Sequence, residues 1–438
     1  MTLQQSGGDP VSPDLQAEEP VSGLMRLLCK RQTLFRAWRK VRDNGQHSLS
    51  AETRDEINKF EAESARRLNM LQYHLSHHCF EFRAQQGIAK RRPGKRPRPI
   101  VVAAIENRVV QRAILDILQG LRPICEVLST RTSVGGIKNR GREHAMSLVR
   151  EATNNGARYF IRSDIEGFFT KIPRADVLSF IAQFISDPEF LDLVTKATDT
   201  QLANLHQLGD EALLFPIEER GVAQGSPLSP LIGNILLRGF DSKLNGRGIT
   251  CIRYIDDFLL LGPNETVVKK AFRNAQDLLR GMGLQAYDPG SEKAEAGRVE
   301  DGFDFLGCAI SPGLIQPTRS ARKKIVIQIG SILVEGSRST SASRGGAPRF
   351  MRRQRYAQTL VRLDHVLLGW AHAYAFCNGR QSFDGIDRAV NVEMGAFRRR
   401  TDAMLSRASA AESRRILGVR NLTDTPIVPL PDAPGPGG

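Results

Sequence analysis

Apolar residues recur at helical spacing near the start of the chain. Leu24, Leu27, Leu28, Leu34, Phe35 and Trp38 form one stripe between Leu24 and Val41. Ile57, Phe60, Leu68, Leu71 and Leu75 form a second stripe within residues 51–78. Both read as packing faces of helices. Residues 80–102 predict a β-hairpin turning at Arg92-Pro93-Gly94, and 106–120 return to helix. The segment 158–310 alternates: strand 158–165, helices 174–186 and 226–245, hairpin 250–261, helix 265–282 and strand 303–310. A last stripe, Leu363, Val366, Leu367, Trp370 and Tyr374, predicts the core of a helical region. Residues 1–22, 337–349 and the Pro/Gly-rich end carry no periodicity, so a disordered tail at each end and a mobile loop are expected. No internal repeat is visible.

The hairpin at 250–261 holds two adjacent carboxylates, Asp256 and Asp257, between the apolar runs Cys251-Ile252 and Phe258-Leu259-Leu260-Leu261. Asp is poor in strands and good in turns, which places the pair at a hairpin tip. Most such pairs are solvated turn residues, and only further acids change that reading. A third carboxylate, Asp164, ends the β-prone run Tyr159-Phe160-Ile161 before Gly167 breaks it. Three carboxylates brought together could bridge two Mg²⁺ ions roughly 3.5–4 Å apart. Between them lies Gly221-Val222-Ala223-Gln224-Gly225-Ser226-Pro227-Leu228-Ser229-Pro230-Leu231-Ile232-Gly233-Asn234. Its glycines allow close backbone approach to a ligand, although a turn leading into a helix would explain the segment equally well.

Taken in order, D-I-x-G-F-F, Q-G-S-P-L-S-P-L-I-x-N and Y-I-D-D-F resemble reverse transcriptases, specifically the bacterial ones related to group II intron proteins. Arg98-Pro99-Ile100 followed by Glu106–Ile114 is similar to the fingers of that family. Phe303-Asp304-Phe305-Leu306-Gly307 resembles its primer grip, and Gly369-Trp370-Ala371-His372-Ala373-Tyr374 the start of its thumb. The resemblance spans about residues 68–400. It implies an α+β fold: a right-hand polymerase with fingers and a ferredoxin-like palm, followed by a helical thumb. The implied division is a tail (1–22), an N-terminal helical region (23–79), fingers (80–157), palm with a fingers insertion (158–317), thumb (318–425) and tail (426–438).

The resemblance also assigns roles. Asp164, Asp256 and Asp257 would be catalytic and hold two Mg²⁺ ions, with Mn²⁺ as an alternative, and the Ile165 carbonyl would be a further ligand. Arg98 would contact the incoming dNTP, assisted by Lys90. Phe169 would be the steric gate against ribose, Gln224 would touch the nascent base pair, and Lys293 would be the acid that protonates pyrophosphate. An ion pair with the adjacent Glu292 is the competing explanation for Lys293, and Phe168 reads as core.

With 62 Lys+Arg against 47 Asp+Glu, the formal net charge is +15, which suits a polyanionic partner. The basic clusters are spread along the chain, as for a long groove. Six cysteines (29, 79, 125, 251, 308, 377) form no C-x-x-C pair, and the start of the chain is no signal peptide. These features predict a cytoplasmic protein without a disulfide framework or zinc site. No apolar run approaches the roughly 18 residues of a membrane span.

Retron-type and diversity-generating signatures, a Cys/His-rich endonuclease module and an RNase H constellation are not found, and Pro230 stands where diversity-generating enzymes usually have Gln. The expectation is a stand-alone enzyme similar to those of antiphage defence. It would copy a dedicated non-coding RNA template into a DNA product. A maturase-like intron RNA-binding protein and an RNA-directed RNA polymerase remain alternatives, and the oligomeric state is not readable.

Overall fold

The computed structural model describes residues 20–424 except 47, 49, 93–94, 217–218 and 343–354. Most of both expected tails, the greater part of the 337–349 loop and the Pro93-Gly94 turn lie outside the described residues. The chain forms two compact units, Met1–Gly297 and Arg298–Gly438.

In the first unit, β1 (Gln86–Arg92) and β2 (Lys95–Val102) form an antiparallel ribbon. Strands β3 (Tyr159–Asp164), β4 (Thr250–Tyr254), β5 (Asp257–Gly262) and β6 (Glu295–Arg298) form a sheet in the order β4-β5-β3-β6. Helices separate β3 from β4 and β5 from β6, while β4 and β5 are joined directly. That is the β-α-β-β-α-β order of a ferredoxin-like palm. Both faces of this sheet are buried. Ile161, Phe258 and Leu260 point to one side, and Phe160, Leu259 and Leu261 to the other, all at most 1% exposed. This explains why the strands read as continuous apolar runs rather than as alternation. Helix Glu265–Gly281, capped by Asn264 through the Val267 N–H, packs on β3 and β5, with Phe272 stacked on Phe258.

Several predicted elements differ from those observed. The first helix is broken into Leu24–Leu28 and Arg31–Gln46, and at the break the Leu27 carbonyl accepts from both the Lys30 N–H and the Thr33 hydroxyl. Phe35, expected in the stripe, is 49% exposed. The second helix divides at Glu63, whose carboxylate turns to pair with Arg66 and Arg67. Helix 174–186 stops at Ala182, since the segment beyond it pairs with Val21, which is therefore held rather than part of a tail. Helix 226–245 is two helices, Ser229–Leu236 and Phe240–Leu244.

The expected strand 303–310 is a hairpin in the second unit, β7 (Phe303–Phe305) and β8 (Cys308–Ser311), extended by β9 (Leu314–Pro317). Leu306 and Gly307 form its turn, both at positive φ (+50° and +79°). The fourth palm strand is instead β6, a short polar segment. Residues 337–342, expected in a loop, complete the helix Arg319–Ala342, where Thr340 is fully buried. This helix packs with Tyr356–Ala373 and Gln381–Leu405 around Ile329, Leu333, Leu363, Val390 and Phe397, with Val366, Leu367 and Trp370 alongside. Tyr374 lies just past its helix.

Candidate active site

The register of the palm sheet sets Asp164 directly opposite Asp257. Residues opposed in an antiparallel pair share a face with Cβ atoms about 5 Å apart, and like charges there repel. Asp256 sits in the two-residue turn between Tyr254 and Asp257, which are themselves paired. Its carbonyl accepts the Ile165 N–H at 3.1 Å, fastening the turn to the end of β3. Ile255, the other turn residue, has φ +62°, a conformation rare for a β-branched side chain.

Electrostatics follow from this placement. Burial first, then the Asp164 charge, pushes the Asp256 carboxyl up to about 6. The same causes, with Asp256 added, push Asp257 to about 7. Lys293, Arg98 and Arg162 act in the opposite direction on one or both. Three cations, Arg98 on the β1–β2 ribbon and Arg162 and Lys293 beside the palm sheet, are thus within the field of the carboxylates.

Lys293 is brought to the centre. Its Nζ donates to Asp164 Oδ2 at 3.1 Å and lies 4.6 Å from the Tyr287 ring centroid. Burial disfavours the ammonium, but Asp164 and Tyr287 outweigh it and raise the Lys293 pKa above the ordinary lysine value. The ion pair therefore runs to Asp164, and not to the neighbouring Glu292. Among the described residues, no three His, Cys, Asp or Glu side chains gather tightly enough to share one ion. The donors near one another are nonetheless all hard oxygens, as Mg²⁺ requires. No described donor bonds the Ile165 carbonyl, although its neighbours do: the Asp164 carbonyl accepts from Tyr287 and the Glu166 N–H donates to Gln285.

Arg98 and Gln224 also meet, the Arg98 Nε donating to Gln224 Oε1 at 2.8 Å. The Val101 N–H donates to the Gln224 carbonyl at 2.8 Å, so the glycine-rich segment is seated along β2. Gly225, at φ +125°, permits this approach, because a Cβ there would lie 2.5 Å from the Val101 carbonyl oxygen. Lys90 is opposite Arg98 in register and is exposed on the same face.

Phe169 is partly buried against the core, and its carbonyl accepts the Val222 N–H at 2.6 Å, two residues before Gln224. Phe168 is 2% exposed, as expected of a core residue, and its ring lies where a Cβ on Gly233 would stand (2.7 Å). A cavity of about 660 Å³ lined by Thr170, Lys171, Arg220 and Arg280 among others includes none of the three aspartates.

Two contributors escaped the sequence reading. Tyr287 carries no motif and reaches Lys293 only through the fold. Arg253, in a strand otherwise apolar, could have been noticed as a charge with no place in solvent. It is 1% exposed and pairs with Asp241.

Comparison with known proteins identifies the family. The chain is 27% identical over 330 residues to Protein YkfC of Escherichia coli (strain K12), a match covering 66% of this chain and 82% of that protein. It is 26% identical over 155 residues to the Group II intron-encoded protein LtrA of Lactococcus lactis subsp. cremoris, covering 35% of this chain but only 24% of LtrA. Among solved structures, apo telomerase from Candida tropicalis aligns over 54% of each chain at 14% identity with a TM-score of 0.36. Residues 88–310 match the model of one family. That match takes in half of the 438 residues and all three aspartates, and the chain belongs to the reverse transcriptase (RNA-dependent DNA polymerase) family.

Proposed function

We propose that this chain copies RNA into DNA by a two-metal mechanism, with Asp164, Asp256, Asp257 and the Ile165 carbonyl as ligands. The observation that carries the reading is the opposition of Asp164 and Asp257 across β3 and β5, with Asp256 at the adjoining tip. A fold does not place like charges opposite one another for its own stability. Two Mg²⁺ ions, or Mn²⁺, would supply activation of the primer 3′-hydroxyl and charge neutralisation at the leaving pyrophosphate.

The chain's own residues complete the chemistry. Arg98, with Lys90 on the same face of the ribbon, binds the triphosphate, and its planar fork suits phosphate oxygens. The Phe169 ring excludes a 2′-hydroxyl, and Gln224 steadies the nascent pair. Lys293, an ammonium held beside Asp164, gives its proton to the departing pyrophosphate.

The template is a dedicated non-coding RNA and the setting antiphage defence, a reading supported by the sequence resemblance to stand-alone defence enzymes. Primer extension on an RNA template with dNTPs and Mg²⁺ tests the activity. Sequencing RNA that co-purifies with the protein, together with phage plating on cells carrying the gene, tests the setting. A co-purified intron RNA would instead favour a maturase.

A further inference from the structure

The guanidinium of Arg253 uses all five of its N–H groups. Nε and Nη2 grip the two oxygens of Asp241, each at 2.7 Å. Nη2 also donates to Ser133 Oγ at 2.8 Å, and Nη1 to Asn234 Oδ1 at 2.9 Å. The last bond runs from Nη1 to the Ile255 carbonyl at 3.1 Å. Asn234 in turn donates to the Gly135 carbonyl at 2.9 Å. Gly135 touches the same turn, since a Cβ there would lie 2.6 Å from the Ile255 nitrogen. The network therefore gathers helices Ser229–Leu236 and Phe240–Leu244, the loop 132–135 and the Ile255-Asp256 turn.

A buried ion pair is weak evidence for stability, because desolvation offsets much of its attraction. A device that fixes one conformation is a better-attested use, and here the conformation in need of fixing is visible. Ile255 stands at φ +62°, a conformation for which the first turn residue of a tight hairpin is usually glycine, asparagine or aspartate. A β-branched residue there is strained and persists only when its surroundings over-determine it. Arg253 lies on the side of the sheet away from Asp257, in the row Arg253–Phe258–Ser163, and so does not face the carboxylates.

We infer that Arg253 is a positioning residue: anchored by Asp241, Asn234 and Ser133, it holds the strained Ile255 turn so that Asp256 is fixed beside Asp164 and Asp257. This rests on the polymerase reading above. Lysine keeps the charge but cannot reproduce the fork.

The test compares Arg253→Lys, Asn234→Ala and each combined with Ile255→Gly, measuring kcat and KM for dNTP, RNA binding and Tm. Asn234→Ala leaves the ion pair in place and serves if Arg253→Lys does not fold. A displacement of about 1 Å in a reacting group costs on the order of 100-fold, so a loss of that order in kcat is expected, with KM and RNA binding little changed. Ile255→Gly, which makes the turn conformation free of strain, should return at least about tenfold of that loss. Wild-type kcat in both single variants overturns the inference. So does a loss of activity that merely follows Tm and is not recovered by Ile255→Gly. Failure of the wild-type protein itself to polymerise would refute the polymerase reading instead.

Discussion

Asp257 and Asp256 work against the fold that carries them. Burial and the neighbouring Asp164 both disfavour their charged forms, which is why the Asp256 carboxyl is pushed to about 6 and the Asp257 carboxyl to about 7. Replacing Asp257 by Asn keeps the shape and removes a buried charge. We expect Asp257→Asn to raise Tm by a few degrees in EDTA at neutral pH while abolishing polymerisation. Adding Mg²⁺ should raise the Tm of the wild-type protein and not that of the variant with both acids replaced, because binding to the folded form alone stabilises it. A Tm unmoved by Mg²⁺ in the wild type would count against the ligand assignment.

Phe169 gives a second prediction at this scale. Phe169→Ala removes a ring but no candidate ligand, so ribonucleotides should enter while dNTP use persists. The readout is a fall in the ratio of the two kcat/KM values, since a gate of this kind would discriminate by clash alone. Full selectivity in the variant would return Phe169 to the core beside Phe168. At this scale the candidate residues that the fold brings together, Asp164 with Asp257 and Lys293, and Arg98 with Gln224, were legible because motif order names them. The Arg253 anchor was not, because its partner Asp241 lies twelve residues away on a helix whose facing no pattern reveals.

Among elements, the seating of the Gln224 segment on β2 is the connection most open to test. Gly225→Ala would drive a Cβ into the Val101 carbonyl, at a φ of +125° that side chains rarely adopt. The expected result is a loss of kcat/KM for dNTP of about tenfold or more, from displaced Gln224 and Arg98, with RNA binding retained. Single-turnover kinetics check it, and unchanged values would mean the segment is not part of the nucleotide site.

Element boundaries were also where reading the sequence went astray. The hairpin β4–β5 was legible because two apolar runs bracket an acidic pair. Strand β6 (Glu-Ala-Gly-Arg) was not, since it is polar and short and joins the sheet only at its edge. The run 303–310 looked like one strand because Leu306 is apolar, yet it occupies a turn that its chemistry does not announce. The break after Leu28 falls inside a stripe of apolar residues whose periodicity continues across it.

For the whole molecule, a formal net charge of +15 dominates. RNA affinity should fall steeply and linearly in a log–log plot against salt, because binding releases counterions from the polyanion. Filter binding between about 50 and 200 mM salt, the range in which such contacts lose several decades of affinity, checks this. A flat response would point to a small or shape-only interface. Composition suits a polyanionic partner, and the palm was implied by the motif resemblance rather than by periodicity, which took 303–310 for a strand where the sheet uses β6. The division at Gly297 was invisible, because no change of composition marks it.

In the proposed function the tip acids perform the polymerase chemistry and contribute little to the fold. The direct measurement is RNA-templated dNTP incorporation by the protein carrying Asp256→Asn and Asp257→Asn together, alongside its Tm and RNA affinity. No detectable incorporation is expected, with a Tm at or above that of the wild type in EDTA and nearly unchanged RNA binding. Measurable incorporation by that double variant would contradict the proposed function.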